Sequence, residues 1–274
     1  MRKPKERGKR IDKNRIDQWV VRFPGYRQEV TARRISDWIA QFAASDGDLA
    51  ARVLDCVHYV TYQSIEEAFQ QLLEHLDGWN RDENRRTGTW RFVAFSRAAG
   101  ESGDTMLHKW RTATKMTGKK YNALYINKAD LLRENLGPHD TVVFLDDFAG
   151  TGDQVCKGWK EVMEELLPGE PTIYLILVAV TTKASQRIGK ETPMKVVSHM
   201  KLRDDDNIFS TECKHFTATE KVNLLTYCRR ADRRDPKGYG ACGLVIVLAH
   251  KTPNNSIPIL HAKHNRWVGL FPRQ

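Results

Sequence analysis

Apolar positions recur at helical spacing through residues 16–79. Ile35, Trp38, Ile39 and Phe42 stand at i, i+3, i+4 and i+7, and Leu49, Val53, Cys56 and Val57 repeat the pattern with one drift. Asp46 and Asp48 are N-cap candidates for the second run, and Ser64 with Glu67 reads as a capping box for a third that carries Phe69, Leu72, Leu73 and Leu76. Three helices are expected, packed as a cap or side layer. The polar stretch 80–88 (NRDENRRTG) breaks the pattern. Beyond it, short β-rich runs alternate with helical ones, at 91–95, 123–126, 141–145, 172–180, 194–197 and 243–249. Strands this continuously apolar are buried on both faces. The predicted fold class is therefore α/β, a mostly parallel sheet covered by helices, with an N-terminal helical region. The expected divisions are a basic tail at 1–15, the helical region at 16–80 and the α/β domain at 88–274.

Charge refines this picture. The whole chain carries +10, of which the first fifteen residues, with eight basic and two acidic side chains, supply +6 and leave +4 for the body. The strong positive field thus belongs to a tail expected to be mobile, which is either a solubilising arm or a salt-sensitive, sequence-blind nucleic-acid contact. No apolar run approaches the roughly 20 residues that span a bilayer, and MRKPKERGKR lacks the apolar stretch of a secretory signal, so no membrane association and a cytoplasmic location are expected. Cys56, Cys156, Cys213, Cys228 and Cys242 are odd in number and never form a CxxC pair, which fits reduced thiols. A zinc reading would have to combine Cys213 and His215 with His250, His261 and His264; loop residues and scattered surface histidines are the simpler account.

The densest chemistry lies in 141–155, TVVFLDDFAGTGDQV. A buried strand runs into Asp146 and Asp147, then a turn with Gly150, Thr151 and Gly152, then a helix. A glycine-rich turn that opens a helix presents backbone N–H groups to a phosphate, and the Thr151 hydroxyl adds a donor. Two carboxylates at the strand end suit sugar hydroxyls or a hydrated Mg²⁺. Together they point to a phosphorylated sugar. Asp146 has a second reading, since the first acid of such a pair can cap the following turn.

This segment resembles the phosphoribosyl pyrophosphate (PRPP) loop of the type I phosphoribosyltransferases. The resemblance implies that Asp146 and Asp147 act at the ribose 2′- and 3′-hydroxyls and contact Mg²⁺ indirectly, through the metal-bound ligand. It implies that Phe148, Gly150, Thr151, Gly152 and Asp153 form the loop that binds the 5′-phosphate. Asp153 and Gln154 depart from the usual pattern of Gly or Ser followed by Ser or Thr. An upstream strand runs into Ser96-Arg97 and on to Gly103, where the resemblance implies a pyrophosphate loop; an ordinary βα connection is the equal alternative. Near the C-terminus, Asn254 and Asn255, with His250, are candidates to contact a base or sugar, against a plain turn over Thr252-Pro253-Asn254-Asn255. Trp267, Phe271 and Arg273 read as a packing strip, with Arg273 a candidate to pair with an acid. With its helical N-terminal region, the chain resembles the phosphoribosyltransferase-like family of biological conflict systems found in bacterial antiviral defence loci and beside retron reverse transcriptases. That resemblance implies a defence effector or toxin using PRPP or a related ribosyl phosphate and Mg²⁺, with the retron reverse transcriptase and its DNA–RNA hybrid as partners.

Two other function classes compete. A non-catalytic module on the same fold would sense a nucleotide or dock on a partner, with the tail gripping nucleic acid. Asp-x-Phe-x-Gly-x-Gly also occurs in S-adenosylmethionine-dependent methyltransferases, but their Asn/Asp-Pro-Pro-aromatic tetrapeptide is missing here.

Overall fold

The structure, a computed structural model, describes residues 11–96, 102–264 and 266–273. Most of the basic tail and Arg97 lie outside the described residues. The described chain opens with α1 (Lys13–Arg22), α2 (Ala32–Ile39), α3 (Gly47–Asp55), the short strand β1 (His58–Val60) and α4 (Tyr62–Glu74). Then come β2 (Trp90–Ala94), α5 (Ser102–Ala113), β3 (Thr141–Ala149) and α6 (Asp153–Gly158). A π-helical turn, Trp159–Met163, carries α6 into α7 (Glu164–Leu166). The rest follows as β4 (Thr172–Thr181), α8 (Thr182–Glu191), β5 (Lys195–Leu202), α9 (Ala218–Ala231) and β6 (Ile246–Leu248).

The α/β class is as the pattern predicts, with differences in detail. The N-terminal region holds a helix beyond the expected three: Asp12 accepts from the Asn14 N–H at 3.2 Å, and Ile16, Trp19, Val20 and Phe23 follow at helical spacing to make α1. The expected Ser64–Glu67 capping box does not start α4, because the helix already begins at Tyr62 and Ser64 falls inside its first turn. Asp46 occupies the N-cap position of α3, but its side chain makes no cap bond and instead accepts from the Tyr227 hydroxyl at 2.6 Å. Residues 123–126 are not a strand. A 3₁₀ run, Lys119–Leu124, takes the first two, and Tyr125 alone forms a bridge to Phe92. The strand expected at 243–249 shortens to β6 and pairs in parallel with β1, which has only three residues and gives no alternation to read.

The chain divides into two compact units, one of residues up to Tyr62 together with Asp204 onward, the other Gln63–Arg203. The second unit is built on a four-stranded, all-parallel sheet in the order β2-β3-β4-β5. Both faces are covered. Val93, Phe95, Val142, Phe144, Leu175 and Leu177 share a core with Val155 and Trp159 of the α6–α7 run and Ala184 and Ile188 of α8. On the opposite face Phe92 meets Trp110 of α5 with ring centroids 5.6 Å apart, and Trp110 meets Phe69 of α4 at 5.3 Å. Burial of each such aliphatic or phenyl side chain is worth roughly 1.5–3 kcal/mol, so the sheet's apolar runs are what hold the helices on. β5 is an edge strand, with Lys195 and Lys201 exposed along it.

One register detail positions the site. β2 pairs with β3 no further than Ala94 opposite Leu145, whereas β3 continues beside β4 as far as Ala149 opposite Val180. Residues 146–149 therefore overhang the end of β2.

In the first unit, α1–α3 and α9 share a core with the C-terminal segment. The indole N–H groups of Trp38 and Trp267 both donate to the Ile259 carbonyl at 2.8 Å. Phe271 is fully buried against Phe23 and Tyr26, so Trp267 and Phe271 form the packing strip their spacing suggested. Thr252 is also fully buried, with its hydroxyl 3.0 Å from that of Tyr26 and donating to the Phe271 carbonyl at 2.9 Å.

Candidate functional site

The overhang of β3 carries both acids into a shielded position. Asp146 is 4% exposed and Asp147 8%. Asp146 Oδ1 accepts from the Asp147 backbone N–H at 2.8 Å and from the Ser102 hydroxyl at 2.7 Å. Burial, and then the adjacent charge of Asp147, push the Asp146 carboxyl well above the usual carboxylate range. A cation brought to this pair would favour its ionised form, against the burial that raises the pKa. Two carboxylates do not complete a cation's shell. A Mg²⁺ ion held in the indirect mode that the sequence resemblance implies would take its own ligands from substrate oxygens and water.

The turn after β3 is fixed from α8. Gly152 has φ +77°, and a Cβ on it would lie 3.3 Å from Ile188 Cγ1 and 3.4 Å from the Ala184 carbonyl oxygen. The residue must reverse the chain while lying against a helix, and glycine does both at no steric cost. Thr181, the N-cap of α8, receives the Ala184 N–H at 3.0 Å and donates its own hydroxyl to the Gly150 carbonyl at 2.6 Å. Thr151 Oγ1 donates to Asp153 Oδ2 at 2.8 Å. The other Asp153 oxygen pairs with the Arg187 guanidinium. Phe148 is half-buried, and Gly150 and Gly152 are buried.

On the β2 side, Ser96 is buried and its carbonyl accepts from Lys128 Nζ at 2.7 Å. Gly103 sits in the first turn of α5, where a Cβ would come within 2.6 Å of the Phe95 carbonyl oxygen. Its lack of a side chain is what lets α5 pack onto the end of β2. That contact in turn sets Ser102 over Asp146.

The structure thus brings together Asp146 with the 102–103 end of the loop, and Thr151 with Asp153. Asn254 and Asn255 belong to the other unit. There Asn255 is buried, with Nδ2 donating to the Tyr239 carbonyl at 3.0 Å, and the Asn254 carbonyl accepts from the Tyr239 N–H at 2.8 Å. These bonds tie the turn to the loop before β6, and the site described here is built from the second unit alone. Sequence reasoning missed four contributors: Ser102, Lys128, Thr181 and Arg187. Thr181 had a readable signal, a Thr at the junction of strand and helix; Arg187 had none, since a helix-surface arginine looks like any other.

This arrangement is a carboxyl pair at a parallel strand's end, a tight Gly-Thr-Gly turn after it, and Ser102 of the first turn of α5 bonded to the pair. Ligands of parallel sheets bind at this edge. No curated protein matches the chain. A model of the PRTase-CE family matches residues 35–273, which takes in both units and every described element from the second half of α2 onward. The chain belongs to the PRTase-CE family, which is phosphoribosyltransferase-like.

Proposed function

We propose that this chain binds PRPP or a related ribosyl phosphate, with Mg²⁺, at the end of β3 and transfers the ribosyl group to an acceptor. The observation that carries this reading is the buried Asp146–Asp147 pair on the overhang of β3, directly before the Gly150–Gly152 turn. In the reaction a nitrogen nucleophile forms a bond to C1 of the ribose while the bond from C1 to the pyrophosphate oxygen breaks, its electron pair leaving with pyrophosphate. Positive charge grows on the ribose and negative charge on the leaving group. Asp147 and Asp146 would hold the ribose hydroxyls and steady the growing positive charge. The turn at Thr151 would hold the 5′-phosphate, and the loop entered at Ser96 would receive the pyrophosphate. Mg²⁺ would supply charge neutralisation there when bound.

A role as an effector in bacterial antiviral defence, with a retron reverse transcriptase and its DNA–RNA hybrid as partners, belongs to the same proposal and is supported by the family resemblance alone. One observation favours a ligand-sensing role without turnover as the second reading. The hydroxyl of Thr151, the turn's side-chain donor, is already engaged by Asp153.

The test is calorimetric titration of PRPP with Mg²⁺ into the wild type and Asp147→Asn, with S-adenosylmethionine as the control ligand. Wild-type binding that the substitution weakens by at least about tenfold is the expected result. Folded wild type that takes up no PRPP would overturn the reading.

A further inference from the structure

Thr151 has one hydroxyl proton to give, and it goes to Asp153 Oδ2 at 2.8 Å, while the Asp153 N–H returns to Thr151 Oγ1 at 3.2 Å. The remaining Asp153 oxygen is paired with Arg187, whose Nη1 also lies 3.4 Å from the Thr151 carbonyl oxygen. Arg187 Nε holds Glu191 at 2.8 Å, and Lys160 Nζ lies 3.3 Å from the same glutamate. Arg187 and Lys160 thus hold Asp153 and Glu191 in one charged network. The turn that resembles a phosphate cradle therefore already contains an anion, supplied by the chain, on both the hydroxyl and the adjacent guanidinium. The backbone of the turn is held against α8, where a Cβ on Gly152 would lie 3.3 Å from Ile188 and Thr181 donates to the Gly150 carbonyl.

We propose that Asp153 is a specificity-determining residue, a resident anion that a ribosyl 5′-phosphate must displace from Thr151 and Arg187 before it can occupy the turn. The inference rests on the ribosyl-phosphate reading of the site. On displacement the phosphate takes the Thr151 hydroxyl and the Arg187 guanidinium, and the Asp153 side chain, 37% exposed, turns to water. Bonds of the same kind are exchanged, so the consequence is weakened affinity for the phosphate and not exclusion of it. The site then discriminates less between phosphorylated and unphosphorylated riboses than a turn with Gly or Ser at this position.

Titration of ribose 5-phosphate and of ribose into the full chain tests this, using wild type, Asp153→Ser and Asp153→Asn, each checked by thermal melt. Asp153→Ser is expected to bind ribose 5-phosphate on the order of tenfold more tightly than wild type, with ribose unchanged. Asp153→Asn, which keeps the shape and removes the charge, should fall between them and gives the reading if the serine variant does not fold. Adding Arg187→Met should cancel the gain. No gain in either Asp153 variant, or an equal gain for ribose, would overturn the inference. Repeating the titration with Asp147→Asn added separates the two proposals. A gain from Asp153→Ser in a protein whose ribose 5-phosphate affinity is not weakened by Asp147→Asn upholds the role of Asp153 and removes the ribosyl reading. PRPP binding that depends on Asp147, with no effect at Asp153, does the opposite.

Discussion

The Ser102 hydroxyl donates to Asp146 Oδ1 at 2.7 Å, joining the first turn of α5 to the overhang of β3 across 44 positions of sequence. The bond links the loop after β2 to the acid pair, so a change in one is felt by the other. Ser102→Ala leaves Asp146 with the Asp147 N–H as a donor but removes one bond from a buried carboxyl. The expected loss is about 1–3 kcal/mol of stability, read as a lower melting temperature. PRPP affinity should fall with it, because the carboxyl loses the contact that aims it.

The raised pKa of Asp146 sets a pH dependence. The folded chain holds this proton more tightly than the unfolded chain, whose carboxyl titrates near the ordinary 3.8. The contribution to stability is therefore complete below that value and declines as pH rises toward the folded pKa. Asp146→Asn mimics the protonated acid and should raise the melting temperature more at pH 8 than at pH 4, by about 2–4 °C for each kcal/mol of burial cost removed. Melts of both proteins at the two pH values check this; a shift of equal size at both would contradict it.

Gly103→Ala should destabilise the protein by roughly 1–3 kcal/mol, because the new methyl meets the Phe95 carbonyl at 2.6 Å and backbone must give way. Gly118→Ala, with nothing within 4 Å of its Cβ, is the matched comparison and should change stability little. Urea unfolding of the two variants measures the difference.

In the first unit His261 is held down at about 4 by desolvation of its ring, against an ordinary 6.5. Its Nε2 lies 3.1 Å from the Ser256 carbonyl oxygen. Here the unfolded chain takes up the proton first, so stability is lost as pH falls from 6.5 to about 4. His261→Gln keeps a donor for that carbonyl and removes the titration. Its melting temperature should fall less steeply than that of wild type between pH 7 and about pH 4.5, a comparison made by calorimetry.

How much of this was legible in advance varies by the range of the interaction. The sheet strands at β2, β3 and β4 were readable because four or more consecutive apolar residues, as in 141–145, have only a doubly covered sheet to bury them. The acid pair and the Gly-Thr-Gly turn were readable because each is a local pattern whose chemistry follows from residue type and order. β1 was not, because a three-residue strand carries no period, and α1, whose Ile16, Trp19, Val20 and Phe23 hold the same spacing as α2 inside the stretch read as helical, was not counted as a helix of its own. The partners of the acids lay further out of reach. Ser102 lies inside the loop read from Ser96 to Gly103, but nothing there names Asp146 as its partner, and nothing near Arg187 marks that residue. They reach the carboxylates only because Gly103 lets α5 close on Phe95 and because Gly152 lets the turn lie on α8. Patterns of burial and turn chemistry are written locally and can be read residue by residue, whereas which hydroxyl reaches which carboxylate depends on packing between elements far apart in the chain, and that packing appears only when the fold is assembled.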